Sequence, residues 1–150
     1  MSDVVGVGID LVDVDRFGAT ITRRPSMVTR LFTPREIRDA GGRPERLAAR
    51  FAAKEATLKV MGCGLGAAPF SSIEVERGES GAPSLLLRGR AAELAHERSI
   101  TQWQLSLTHT HRTAGAVALG FTSGTDGDFT LSETMDEALG QVLRELDHGN

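Results

Sequence analysis

Residues 4–12 form an apolar, largely β-branched run bounded by polar positions. The pattern predicts a buried strand that Asp10 interrupts near its end. Phe17 and Ile21 then fit a short amphipathic helix within residues 14–27, broken near Pro25. Thr33-Pro34-Arg35-Glu36 is a helix start, with Thr33 at the N-cap, Pro34 at the first helical position and Glu36 completing a capping box. A loop through Gly41-Gly42 leads to Pro44 and a long central helix. Beyond it, alternation predicts strands at 72–77 and 84–88 joined by a turn at 78–83, a helix at 90–97, and strands at 102–108 and 113–121. Residues 123–130 are rich in Gly, Ser, Thr and Asp and read as a linker. In 131–150, Leu131, Met135, Leu139, Val142, Leu143 and Leu146 fall at helical spacing, with Ser132 as cap and an acidic opposite face. The whole is an α+β pattern: a single folded domain at 1–122, a linker at 123–130 and an amphipathic helical extension at 131–150.

The central helix carries the chemistry. At about 100° per residue, Leu47, Phe51, Leu58 and Met61 share a stripe that also contains Lys54, while Ala49, Ala52, Ala53, Ala56 and Val60 make a small apolar side. No broad polar face remains for Arg50, Lys54, Glu55 and Lys59. Enclosed charges need a partner, a metal or a ligand; the bland alternative is a surface pair between Glu55 and Lys59 with the Lys54 stem merely lying along apolar surface. The glycines of Gly62-Cys63-Gly64-Leu65-Gly66 end the helix, and with cations just upstream they suit an anionic ligand. Asp10, at the end of an apolar strand, is either a helix cap or a metal ligand. His109 and His111 lie two apart without a third ligand, a poor zinc pattern. Gly6 and Gly8 lack the third glycine of a dinucleotide fingerprint.

Composition narrows the partners. A 150-residue chain with net charge −3 and mixed signs suits one globular domain and lacks the basic excess of a nucleic-acid binder. Cys63 is the single cysteine, and no apolar run is long enough for a membrane span or signal core, so a reducing cytoplasm is the expected compartment.

Read together, Gly6-Val7-Gly8-Ile9-Asp10 with Arg16, Phe32-Thr33 with Glu36, residues 50–56 with Lys59 and Gly62-Cys63-Gly64, Gly81-Ala82-Pro83, and Ser106-Leu107-Thr108-His109-Thr110 resemble the holo-acyl-carrier-protein synthases, a class of 4'-phosphopantetheinyl transferases. The resemblance spans about residues 4–121, the two carboxylate motifs together being far more specific than either alone. It implies a compact α+β domain with a long central helix against a mostly antiparallel sheet, assembled as a homotrimer with active sites between subunits. It also implies transfer of phosphopantetheine from coenzyme A to a serine of an apo acyl carrier protein, releasing adenosine 3',5'-bisphosphate, in the synthesis of fatty acids, polyketides or peptides.

Carried over residue by residue, the resemblance makes Asp10 and Glu55 ligands of magnesium (Mg2+) and places Lys59 at the coenzyme A phosphates. It puts Arg50, Lys54, Gly62 and Gly64 on the wall of the coenzyme site, His109 and Thr110 near the adenosine phosphates, and Arg16, Arg23 and Arg24 where an acidic carrier docks. Catalysis then falls to Asp10, Glu55 and Lys59, with Glu55 or a metal-bound water taking the serine proton. The rivals are a hydrolase of the coenzyme A diphosphate and a carrier-binding module without activity. The string His111-Arg112-Thr113, the short 41–44 loop and everything from Ser123 onward depart from the family pattern.

Overall fold

The computed structural model describes residues 2–123. The linker and extension expected at 123–150 lie outside the described residues, apart from Ser123. In chain order the elements are β1 (Val4–Asp13), α1 (Val14–Arg23), α2 (Ser26–Leu31), α3 (Pro34–Ala40), α4 (Pro44–Val60), a short 3-10 turn (Phe70–Ser72), β2 (Ile73–Arg77), β3 (Pro83–Leu87), α5 (Gly89–Glu97), β4 (Gln102–His109) and β5 (Thr113–Phe121). The strands form two antiparallel sheets, a three-stranded one in the order β1-β5-β4 and a β2-β3 hairpin. This is an α+β fold, as the sequence pattern predicts. Among the described residues no helix is long and apolar enough to cross a membrane.

The helix α4 lies on the three-stranded sheet because both surfaces are small. On the sheet side, Gly6, Gly8, Ala116, Ala118 and Gly120 meet the helix; on the helix side, Ala52, Ala53 and Ala56 are completely buried. A Cβ on Gly8 would overlap the Ala56 carbonyl oxygen, and one on Gly6 would lie 2.9 Å from the Val60 carbonyl oxygen. The two glycines therefore let strand and helix backbones approach closely. Ile73, Val75, Leu94 and Ile100 close the main core, and Phe17, Phe32 and Leu47 build a second cluster under α1 and α3.

The expectation that β1 is buried is corrected. Val7, Ile9 and Leu11 are 64%, 61% and 69% exposed. A strand alternates its faces, and the face that meets α4 carries Gly6, Gly8, Asp10 and Val12; the large apolar side chains point the other way. That outward face continues on β5 through Val117, opposite Ile9, and Leu119, opposite Val7. The β-branched run thus supplies a sheet surface that the described residues leave open.

Two local expectations resolve sharply. The carboxylate that caps α1 is Asp13, which accepts from the Arg16 N–H at 2.7 Å, so Asp10 is not the cap. The capping box of α3 is complete, with the Thr33 N–H donating to Glu36 at 2.9 Å and the Glu36 N–H donating to the Thr33 hydroxyl at 3.3 Å.

Candidate active site

Close packing of α4 on β1 brings Asp10 to Lys59 and Glu55. Lys59 Nζ donates to Asp10 Oδ1 at 2.9 Å and to the Ile9 carbonyl at 2.8 Å, a contact across 49 residues of chain. Glu55 makes no ion pair with Lys59, so the ordinary helix pair is not formed. Partial burial, and then the nearby Asp10 charge, hold the Glu55 carboxyl above its ordinary range; Lys59 opposes both. Asp10 and Glu55 share a cavity of about 430 Å³ with Arg16, Phe17 and Phe51. Two neighbouring carboxylates, one of them held above its ordinary range partly by the charge of the other, make a site that gains from a cation.

Among the described residues no three His, Cys, Asp or Glu side chains are grouped to hold a metal. A pair of carboxylates nevertheless fits magnesium, which rarely takes an all-protein cage and completes its shell with water and substrate phosphate oxygens.

The other charged stripe of α4 does different work. Arg50 and Lys54 lie on the α3 side, roughly 100–180° around the helix from Glu55 and Lys59. Lys54 is completely buried and spends its ammonium inside the protein: on Glu36 Oε2 at 2.7 Å, the Leu31 carbonyl at 2.7 Å and the Phe70 carbonyl at 3.0 Å. Glu36 Oε1 accepts from the Val75 N–H at 2.9 Å. One buried ion pair thereby ties α4 to the end of α2, the start of α3, the 3-10 turn and β2. Burial lowers the Lys54 pKa, and Glu36 opposes that shift. Arg50 is also buried: Nη1 donates to the Arg46 carbonyl at 3.2 Å, while Nε has no partner among the described residues. Burial lowers its pKa, and Glu36 and Asp39 pull the other way.

Gly62 follows α4 with φ +66°, and its N–H donates to the Lys59 carbonyl at 3.0 Å. The Arg98 guanidinium packs on it, leaving 3.3 Å to the place of a Cβ. Gly64 faces open space. His109 ends β4, and the Thr110 hydroxyl accepts from the Arg112 and Thr113 N–H groups at 3.2 and 3.0 Å, which fixes the turn to β5. Lys54, Arg50, Gly62, Gly64, His109 and Thr110 do not line the cavity that Asp10 and Glu55 share within one chain. Of the three arginines expected at the carrier, Arg16 lines that cavity, whereas Arg23 and Arg24, at the end of α1, line a larger cleft of about 890 Å³ with Arg30.

Sequence reasoning missed Arg98, Arg30 and the second role of Glu36. Arg98 sits 36 positions from the glycine it covers, so no local signal reveals it. For Glu36 the signal was present but consumed by the capping box, which uses only part of its acceptor capacity.

Comparison with known proteins gives the family. The profile of the 4'-phosphopantetheinyl transferase superfamily matches residues 6–119. The holo-[acyl-carrier-protein] synthase of Frankia alni is 55% identical over 106 residues, covering 71% of this chain and 87% of that one. The Moorella thermoacetica holo-[acyl-carrier-protein] synthase is 44% identical over 115 residues, covering 75% and 90%. Among solved structures, the Helicobacter pylori holo-[acyl-carrier-protein] synthase in complex with coenzyme A superposes with a TM-score of 0.70 at 27% identity, covering 76% of this chain and 98% of that one. The Plasmodium yoelii acyl carrier protein synthase with ADP bound gives a TM-score of 0.76 at 26% identity, covering 83% and 99%. With the fold and these likenesses in agreement, the chain belongs to the 4'-phosphopantetheinyl transferase superfamily and is an enzyme of its holo-[acyl-carrier-protein] synthase class.

Proposed function

We propose that this enzyme moves the 4'-phosphopantetheine arm of coenzyme A onto a serine of an apo acyl carrier protein, using Mg2+ and releasing adenosine 3',5'-bisphosphate. The observation that carries the reading is the meeting of Asp10, Glu55 and Lys59 where α4 crosses β1. The coenzyme A bound to the Helicobacter pylori relative supports coenzyme A as the donor.

In this reaction the serine oxygen bonds to the pantetheine-side phosphorus while the diphosphate P–O bond breaks, and the bridging oxygen leaves on the nucleotide. Asp10 and Glu55 would hold the Mg2+, which would supply charge neutralisation for the diphosphate. Lys59 orients Asp10 and offers its remaining donor capacity to phosphate oxygens. The serine proton would pass to Glu55 or to a water held beside it.

The remaining assignments follow the same reading. The coenzyme is held by Arg50, Gly62, Gly64, His109 and Thr110, which are reconciled with Asp10 and Glu55 if the sites lie between subunits of a homotrimer. The open apolar face of Val7, Ile9 and Leu11 supports such an assembly. Lys54 acts by fixing the elements around α4, in keeping with its burial. Arg16, Arg23 and Arg24 receive the acidic carrier. The transferase unit is residues 1–122, joined by 123–130 to the 131–150 extension, and the enzyme acts in the cytoplasm.

The test is single-turnover transfer by Asp10→Asn, Glu55→Gln and Lys59→Met. Each is expected to lose at least about 100-fold in rate with the fold retained. Near-normal transfer by Glu55→Gln would remove both the metal assignment and the proton acceptor.

A further inference from the structure

The cleft between α1–α2 and the 66–71 segment combines two chemistries. Arg23, Arg24 and Arg30 rim it, and Met27, Leu31 and Phe70 supply its apolar surface. None of the three arginines forms an ion pair among the described residues. Cations gathered without carboxylates, around apolar surface, leave both a charge and a contact area unmatched.

The chain itself carries the complement. Residues 124–150 hold seven of the 20 acidic residues and one of the 17 basic ones, so this segment has a charge of −6 and residues 1–123 a charge of +3. Within it, Leu131, Met135, Leu139, Val142 and Leu143 recur at helical spacing beside Glu133, Asp136 and Glu137. Reach is ample. The eight residues 123–130 span up to about 26 Å when extended, against a radius of gyration of about 14 Å for a body of this size. The other open apolar surface, the outward face of β1, has no cations among Val7, Ile9 and Leu11, and charge therefore favours the cleft.

We propose that the acidic C-terminal segment of this chain occupies the Arg23–Arg24–Arg30 cleft and competes there with the acidic carrier. Occupancy stands on the cleft and the charge division; competition rests also on the reading that carriers dock through Arg23 and Arg24. The segment then acts as a built-in selectivity filter, displaced only by carriers whose acidic surface binds the arginines better than it does. Ionic strength weakens both contacts.

The test uses the full chain and two variants, the charge-neutralised Glu133→Gln/Asp136→Asn/Glu137→Gln and the charge-preserving Leu139→Ser/Leu143→Ser. Hydrogen exchange of residues 23–31 is expected to quicken in both, and the KM for an apo acyl carrier protein to fall about three- to tenfold, the scale of a few exposed ion pairs. The kcat and the KM for coenzyme A stay unchanged. The second variant separates docking from long-range charge, because it alters contact area alone. Unchanged exchange at 23–31, or a change at residues 5–11 instead, overturns the occupancy. Faster exchange with an unchanged carrier KM overturns the competition. Absence of any transfer to carrier protein, by contrast, is a failure of the transferase reading and leaves the exchange result standing.

Discussion

Replacing Lys54 by methionine separates a structural ammonium from a ligand-binding one. In the native fold Nζ makes its three hydrogen bonds at 2.7, 2.7 and 3.0 Å and lies 5.1 Å from the centre of the Phe32 ring. Methionine fills a similar volume but leaves Glu36 charged, completely buried and supported only by the Thr33 and Val75 N–H groups. Breaking a buried pair from one side costs about 3–5 kcal/mol. For a domain of this size that lowers the melting temperature by on the order of 10–20 °C. Urea unfolding in the absence of coenzyme A and metal reads the loss, with an unchanged m-value showing that the unfolded ensemble is the same. The double variant Glu36→Gln/Lys54→Met is expected to recover part of the loss, because the uncompensated charge is gone. If Lys54→Met costs less than about 1 kcal/mol and instead raises the KM for coenzyme A, Lys54 faces the ligand and the structural account of it is refuted.

Three further outcomes are expected. Gly8→Ala forces strand and helix apart at Ala56; it should cost about 1–3 kcal/mol or more and lower kcat more than it raises the KM for carrier, whereas full activity would show that the Asp10–Glu55 spacing tolerates movement. Glu55→Gln is expected to raise the melting temperature of the metal-free protein at neutral pH. The folded pKa of Glu55 is raised, so its contribution favours the fold below the unfolded carboxyl pKa and is lost as pH rises through the folded value. The advantage of the variant should accordingly vanish in acid, and equal melting temperatures at pH 7 would contradict the stated cause. Ile9→Lys places a charge on the outward face of β1 and is expected to break the proposed trimer into smaller species by light scattering; an unchanged mass would mean that this face is not the subunit contact.

Much of the fold was legible because local signals agreed. Thr33-Pro34-Arg35-Glu36 specifies its helix start through groups within one turn, and the pattern of 72–77 and 84–88 around a turn specifies the hairpin found at 73–77 and 83–87. The role of Asp10 was not legible from periodicity, because what decides it is Lys59, 49 positions away, reached only after Gly6 and Gly8 let the helix approach. The exposure of β1 was misread for a related reason. A β-branched run looks the same whether its second face meets its own core or is left for another surface, and glycines on the buried face hide the alternation. The enclosed charges of α4 were visible, but not their division between an internal lock at Lys54 and a reactive side at Glu55 and Lys59. That division depends on which neighbours α3 and β1 present.

The central claim is phosphopantetheine transfer, and the intact mass of an apo acyl carrier protein tests it most directly. Incubated with this enzyme, coenzyme A and magnesium, the carrier is expected to gain the mass of one phosphopantetheine, and to gain nothing when chelator replaces the metal. Cleavage of coenzyme A without any gain of mass on the carrier would contradict the account and identify a hydrolase; no gain and no cleavage across a panel of folded carriers would leave a binding protein in its place.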